Sequence, residues 1–187
     1  MLLICKIYFI VDNRYAKELL KMLTKLLRDK GLISNDVELE VSHPLNKCDN
    51  RIERYVSEAI KYYRCVVVLV DTEGGDPEEI SNSIRENHLR GLGRELPNVS
   101  IITVHPCLEI WLCDALGLES CNAHTDCKDL ISHIRDYLVR KRRIKYEKKL
   151  LPKLIIESLQ DPLSKTTQTP PYFVKDLINI LEICCRL

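Results

Sequence analysis

Residues 66–70, Val-Val-Val-Leu-Val, form an apolar run that leads directly into Asp71. Such a run without polar alternation is typical of a strand that is covered by helices on both faces, as in a parallel sheet. The carboxyl end of such a strand lies at the edge where open α/β sheets bind their ligands. Asp71 and the nearby Glu73 are therefore candidate site residues, and the alternative is a solvated turn that caps the next helix.

Apolar strands alternate with amphipathic helices along the first part of the chain. The predicted strands are 4–11, 37–41, 65–70 and 98–105, and the predicted helices follow residue 12, cover 50–63, and run from the Asp-Pro-Glu-Glu segment to about Arg90. This alternation predicts an α/β fold with a four-stranded parallel sheet and right-handed crossovers.

After residue 104 the pattern predicts helices only. A short helix is expected over 106–118, PCLEIWLCDALGL, and longer ones at 128–143, 145–160 and 172–185. We therefore divide the chain into an α/β domain, residues 1–116, and a helical extension packed on it, residues 117–187.

Charge and hydropathy exclude several classes of protein. Lys and Arg number 28 against 27 Asp and Glu, so the overall charge indicates neither a nucleic-acid-binding protein nor an acidic tail. The apolar start lacks a leading basic segment and a small-residue cleavage site, and no apolar run is long enough for a membrane span. The expectation is a cytoplasmic protein without a membrane partner, and its oligomeric state stays open.

The chain has nine cysteines, an odd and high number. Disulfides are rare in reducing cytosol, except in hyperthermophiles. Cys113, Cys121, His124 and Cys127 supply enough ligands for a tetrahedral zinc ion, although their spacing matches no familiar zinc pattern. A disulfide within this cluster and free thiols are the alternatives. The adjacent Cys184 and Cys185 are most simply a pair on a helix.

Acidic residues follow the first and third predicted strands. Because the carboxyl ends of parallel strands meet at one edge of a sheet, Asp12 and Asp71 are expected to lie close together, with Glu73 just beyond. Carboxylates that converge repel one another, and a hard cation such as Mg²⁺ relieves the repulsion. Gly74 and Gly75 leave room for a phosphate or a backbone to approach. Asp12 could instead be only the N-cap of the first helix.

The stretches IYFIVDNRYAKELL and VVVLVDTEGG resemble the Toprim domain of type I topoisomerases, bacterial primases, recombination mediators and the overcoming-lysogenization-defect nucleases. That family carries an acid, usually Glu, after its first strand and Asp-x-Asp after its third, where this chain has Asp12 and Asp71-x-Glu73. HPCLEIWLCDAL resembles a P-x-x-E-x-W segment followed by an Asp in small standalone Toprim-like proteins, with Glu109 and Asp114 as its acids. The tail stretches KYEKKLLPKLI and PPYFVKDLINIL also resemble that group.

The resemblance implies a Mg²⁺- or Mn²⁺-dependent nuclease or a related phosphodiester-transfer protein. Asp71 and Glu73 would hold the metal, Asp12 would be a further ligand or a general base, and Glu109 would hold a second ion. This chain has Asp12 where the family has Glu, and Glu73 where the family has Asp. Each change of side-chain length displaces a ligand by about an ångström, which can cost about a hundredfold in rate. This favours a rival interpretation, an inactive Toprim-like module that binds nucleic acid or protein.

A third interpretation is a receiver-like phospho-acceptor domain, which also carries acids after strands one and three. Such domains have an acidic pair after strand one and a Lys-Pro after the last strand. Here the corresponding residues are Asp12-Asn13 and His105-Pro106, which disfavour this class.

Residues 128–153 contain ten basic residues against three acidic ones, a local net charge of +7. Such a segment is either a solvated helix face or a track for a phosphate backbone. The candidate nucleic-acid-binding residues are Arg140, Arg142, Arg143, Lys145 and Lys148. Whether the nucleic acid is DNA or RNA, and whether a partner protein such as an ATPase is needed, stays open.

Overall fold

A computed structural model describes residues 4–93, 96–161 and 170–186. Its centre is a sheet of four parallel strands in the order β2-β1-β3-β4. The strands are β1 (Cys5–Val11), β2 (Val37–Val41), β3 (Cys65–Asp71) and β4 (Val99–Val104). The predicted α/β architecture with a four-stranded parallel sheet is therefore confirmed, as is its Rossmann-like arrangement of flanking helices.

The helices lie close to the predicted positions. They are α1 (Arg14–Asp29), α2 (Arg51–Ala59), α3 (Pro77–Ile84), α4 (Glu109–Leu116), α5 (Cys127–Arg142), α6 (Leu151–Gln160) and α7 (Tyr172–Arg186). After α3 the chain continues through a π-helical turn, Arg85–Leu89, and a 3-10 turn, Arg90–Leu92. Within the described ranges, no helix combines the length and the apolar character that crossing a bilayer requires.

Three helices are shorter than the sequence pattern predicts: α2, predicted over 50–63, α3, predicted to run to about Arg90, and α6. The pattern predicts a helix over 145–160, but α6 begins at Leu151 and is preceded by a 3-10 turn, Lys148–Leu150. Pro152 lies in the first turn of α6, where its missing N–H is tolerated. Deeper inside a helix, the same proline would remove a backbone hydrogen bond. Lys145 and Lys148 consequently lie in a connector between α5 and α6.

The side chains of β3 alternate between two apolar layers. Val67 and Leu69 face the layer that contains α1 and α4 to α7, whereas Val66, Val68 and Val70 face α2, the end of α3 and the end of the π-helical turn. Helix α6 packs on both α1 and α4, and α7 packs on β1 and α4. The C-terminal helices thus share one core with the sheet.

The strand order creates a switch point between β1 and β3. The chain passes from β1 to β2 on one side, and from β3 to β4 on the other side. In open parallel sheets, the crevice outside such a switch point is the usual ligand site. Asp12 and Asp71 stand at the carboxyl ends of the two strands that flank it.

The described cysteines form three disulfides, Cys5–Cys185, Cys65–Cys184 and Cys113–Cys121. Cys184 and Cys185 are on one helix as expected, but they are bonded to the neighbouring strands β3 and β1. Cys113–Cys121 is the disulfide alternative for the cysteine cluster. It corrects the zinc hypothesis, because two of the four proposed ligands are consumed by the bond. Cys48, Cys107 and Cys127 are free thiols.

Candidate carboxylate site

Asp12 and Asp71 are in direct contact at the switch point. Oδ2 of Asp12 accepts a hydrogen bond from the backbone N–H of Asp71 at 2.6 Å, and Oδ1 accepts one from Nδ2 of Asn13 at 2.8 Å. The same Nδ2 lies 3.5 Å from Oδ2 of Asp71. The N-cap of α1 is Asn13, whose Oδ1 accepts from the N–H of Ala16 at 2.8 Å. Asp12 is therefore not occupied by helix capping.

Glu109, the first residue of α4, brings a third carboxylate into the interior and has no exposed surface. Its Oε1 accepts a hydrogen bond from the hydroxyl of Tyr146 at 3.2 Å and lies 3.6 Å from Nζ of Lys148. Its Oε2 has no hydrogen-bond partner among the described residues. A buried carboxylate oxygen without a partner is costly, so each such atom requires an explanation.

The carboxylates influence one another strongly. Burial, followed by the charge of Asp12, raises the pKa of Asp71 to about 7; Glu109 also raises it, and Lys148 lowers it. Burial also raises the pKa of Asp12, against the hydrogen bonds that it accepts. Burial opposes the charge of Lys148, but attraction to Glu109 and Asp71 leaves its pKa above the usual value. The centre thus combines three carboxylates with one firmly charged lysine.

Glu73 does not join this group, unlike in the sequence-based expectation. Its side chain is 74% exposed, and its Oε2 pairs with Nζ of Lys47 at 3.0 Å. Its backbone has φ of 56°, and its N–H donates to the carbonyl of Pro106 at 2.8 Å. This left-handed conformation is uncommon for a residue other than glycine, and it accompanies the outward direction of the side chain.

A segment of this chain packs closely against Gly74, where the sequence predicts room for a phosphate or a backbone. Gly74 has φ of 88°, and a Cβ at this position would lie 3.1 Å from the backbone carbonyl oxygen of Thr125. The absence of a side chain therefore lets the segment before α5 pack against the acidic loop. This contact accounts for the glycine without any phosphate.

Two free thiols lie near the site, Cys107 after β4 and Cys127 at the start of α5. Sγ of Cys127 donates to the carbonyl of Pro106 at 3.2 Å. Burial raises the pKa of the Cys107 thiol, as do Cys127 and Glu109. Burial also raises the pKa of Cys127. Since only the thiolate is a good metal ligand, these thiols are poorly suited to bind a soft metal ion.

The donor atoms fit a hard cation better. Asp12, Asp71 and Glu109 offer carboxylate oxygens. Oε2 of Glu109, which has no hydrogen-bond partner among the described residues, is available as a metal ligand. In the described ranges, no three His, Cys, Asp or Glu residues are close enough to hold an ion by themselves. Mg²⁺ is usually held by one or two carboxylates, with waters and substrate phosphates completing its octahedron. A Mg²⁺ ion here would therefore need oxygen ligands in addition to these carboxylates.

Asp114, the second acid of the Glu-x-Trp segment, lies elsewhere. It lines a cavity of ≈ 170 Å³ between β4, α4 and α7, together with Asp176 and the stacked pair of Trp111 and Phe173. Burial and the charge of Asp176 raise the pKa of Asp114 to about 6. Only Glu109 from this segment therefore reaches the carboxylate site.

The predicted nucleic-acid-binding residues fall into two groups. Lys148 lies at the carboxylate site itself, through its ion pair with Glu109. Arg142 is within 3.9 Å of Asp161. Arg140, Arg143 and Lys145 are exposed around the end of α5. The basic segment thus leads from a solvent-exposed helix end to the buried carboxylates.

Lys47, Cys107 and Tyr146 contribute to the site, although the sequence pattern does not predict them there. Lys47 follows β2 and Cys107 follows β4, so both lie at the edge where the loops after all four parallel strands meet. Searching every such loop for polar residues would have found these two. Tyr146 reaches Glu109 from a connector that is 37 residues away in sequence, and no local pattern marks it.

Three elements therefore place carboxylates around the switch point, and a fourth segment adds a lysine. The group is chemically suited to bind a divalent cation together with an anionic oxygen ligand. Comparison of the chain with protein-family models, with curated proteins and with solved structures gave no match.

Proposed function

We propose that the protein is a Mg²⁺- or Mn²⁺-dependent nuclease, or a related phosphodiester-transfer enzyme, that acts on nucleic acid. The observation that carries this proposal is the group of half-buried Asp12 and buried Asp71 and Glu109, with Lys148 beside it. The resemblance of the surrounding sequence to Toprim domains supports the same chemistry.

In this proposal Asp71 and Glu109 hold the cation, and Asp12 is a further ligand or the base that accepts a proton from the attacking water. Asn13 orients Asp12 through the bond from its Nδ2. When bound, Mg²⁺ would polarise the phosphodiester and make a water molecule more acidic. Lys148, beside Glu109, and Lys47, whose Nζ lies 3.5 Å from the carbonyl oxygen of Asp71, would bind the phosphate oxygens.

The test is cleavage of single-stranded and double-stranded DNA and of RNA, with and without Mg²⁺ or Mn²⁺. We expect cleavage to require the divalent ion and Asp71→Asn to slow it about a hundredfold while affinity for nucleic acid is kept. Glu78→Gln, at an exposed acid in α3, is the matched control and should cleave normally. Cleavage that persists in chelator, or that Asp71→Asn leaves unchanged, would contradict the proposal.

The second candidate is a binding module without catalysis. It is favoured by the position of Glu73, which pairs with Lys47 instead of completing the acidic group. In this case the protein would bind nucleic acid or a protein partner, and neither Mg²⁺ nor Mn²⁺ would produce cleavage of any of the three substrates.

Both candidates predict that the basic segment contacts phosphates. Affinity falls as salt rises, because each phosphate contact releases counterions. Replacing Arg140, Arg142 and Arg143 with Ala should make the slope of log affinity against log salt less steep by about two to three. Binding would be measured by fluorescence anisotropy at several salt concentrations. Arg51→Ala with Arg54→Ala, on the exposed face of α2, is the control. A slope equal to that of the wild type would show that the segment is merely solvated.

A further inference from the structure

We infer that Lys148 is a resident counter-ion of the carboxylate site and that a divalent cation must displace its ammonium group in order to bind. The inference rests on the proposed function, because it concerns the same site. Its basis is that Nζ of Lys148 lies 3.6 Å from Oε1 of Glu109, a carboxylate with no exposed surface. In the described ranges it is the one cation with an ion pair to the three buried or half-buried acids.

The ammonium group and a metal ion cannot share this place without a cost. Mg²⁺ binds carboxylate oxygens at about 2.1 Å, so an ion on Glu109 would be only a few ångströms from Nζ in its present position. Two like charges at that distance repel, and the burial of Glu109 limits the screening by water. The ion pair between Lys148 and Glu109 therefore lowers the affinity of the site for a metal ion.

Lys148 has a route out of the site. Its side chain is 41% exposed, and it begins the 3-10 turn that precedes α6. The four-carbon stem allows Nζ to turn toward solvent or toward a phosphate, while the position of the backbone is kept. Tyr146, a neutral donor, can keep its hydrogen bond to Oε1 of Glu109 in both states.

This exchange would couple the metal to the substrate. A phosphate that attracts Lys148 away from Glu109 removes the repulsion against the cation and also offers the cation an oxygen ligand. Metal and nucleic acid should then each increase the affinity for the other, as linkage requires. Metal bound without substrate would be weak.

The test compares the wild type with lysine variants. Each is prepared free of metal, and its affinity for Mn²⁺ is measured by calorimetry without nucleic acid. Lys148→Met should bind Mn²⁺ at least about tenfold more tightly than the wild type, because the competing charge is gone. Lys149→Met removes an equal charge from the neighbouring residue, whose Nζ pairs with Glu147, and should change the affinity less than about threefold. Lys148→Gln is a second neutral variant in case the Met variant does not fold. An affinity equal to or below that of the wild type, in whichever neutral variant folds, would overturn the inference.

A readout without metal checks the ion pair itself. In chelator, Lys148→Met should lower the melting temperature, because Glu109 loses its counter-ion, and adding Glu109→Gln should recover most of the loss. Independent, additive effects of the two changes would overturn the inference. If Lys148→Met binds Mn²⁺ more tightly but the wild type cleaves no substrate, the proposed nuclease function is wrong and the role of Lys148 as a counter-ion is supported. Cleavage by the wild type, with an affinity for Mn²⁺ that Lys148→Met leaves unchanged, would support the proposed nuclease and overturn the role of Lys148 as a counter-ion.

Discussion

Replacing Cys184 and Cys185 together with serine is expected to lower the free energy of unfolding by about 5 kcal/mol or more. The two residues tie α7 to β3 and β1 through bonds that span 119 and 180 residues of sequence. In the chain-entropy model, a crosslink that closes a loop of this length stabilises the fold by about 4–5 kcal/mol. The second crosslink adds less than the first, because the first already shortens the effective loop.

Denaturant unfolding in non-reducing buffer would measure the effect. The pair Cys113→Ser and Cys121→Ser opens a bond between residues only 8 apart and should cost about half as much. Cys48→Ser, at an exposed free thiol, is the control and should leave stability unchanged. If the Cys184 and Cys185 variant is as stable as the wild type, and reductant does not change the wild type either, the two bonds do not form in solution.

Asp71→Asn is expected to stabilise the metal-free protein by about 2–4 kcal/mol at pH 8. The folded-state pKa of Asp71 is raised to about 7 by burial and by Asp12. In the unfolded chain this pKa is about 3.9. Between these two values the folded state binds the proton and the unfolded state does not, so wild-type stability falls as pH rises from about 4 to about 7. Asparagine carries no proton to lose and avoids this fall.

Unfolding in chelator at several pH values from 5 to 8 would test this. The stability difference between Asp71→Asn and the wild type should grow with pH and level off above pH 7. Asp129→Asn, at an exposed acid of α5, is the control for the loss of one negative charge. Stability curves for Asp71→Asn and wild type that stay parallel across this range would show that Asp71 titrates alike in both states.

The sheet and half of the carboxylate site could be predicted because both follow from local patterns. The apolar run of 66–70 predicts a strand that is buried on both faces, and β3 is buried along its whole length. Once the strands are parallel, β1 and β3 end at the same edge, and their pairing as neighbours then brings Asp12 and Asp71 together.

The other half depends on contacts between residues far apart in sequence. Glu73 turns outward because of its left-handed backbone and its pairing with Lys47, which is 26 residues away. Glu109 receives Lys148 and Tyr146 from a connector whose position depends on the packing of α6 against α1 and α4. The bonds from α7 to the sheet likewise join distant parts of the chain. Periodicity carries no information about such pairings.

The carbonyl oxygen of Pro106 accepts hydrogen bonds from three groups: the N–H of Glu73, the hydroxyl of Thr72 and the thiol of Cys127. These groups belong to the acidic loop after β3 and to the first residue of α5, and Pro106 itself follows β4. One backbone atom therefore holds three segments of the fold in register. A shift of α5 along its axis would pull on the loop of Thr72 and Glu73, so the helix that carries the exposed arginines and the loop that directly follows Asp71 must move as a unit.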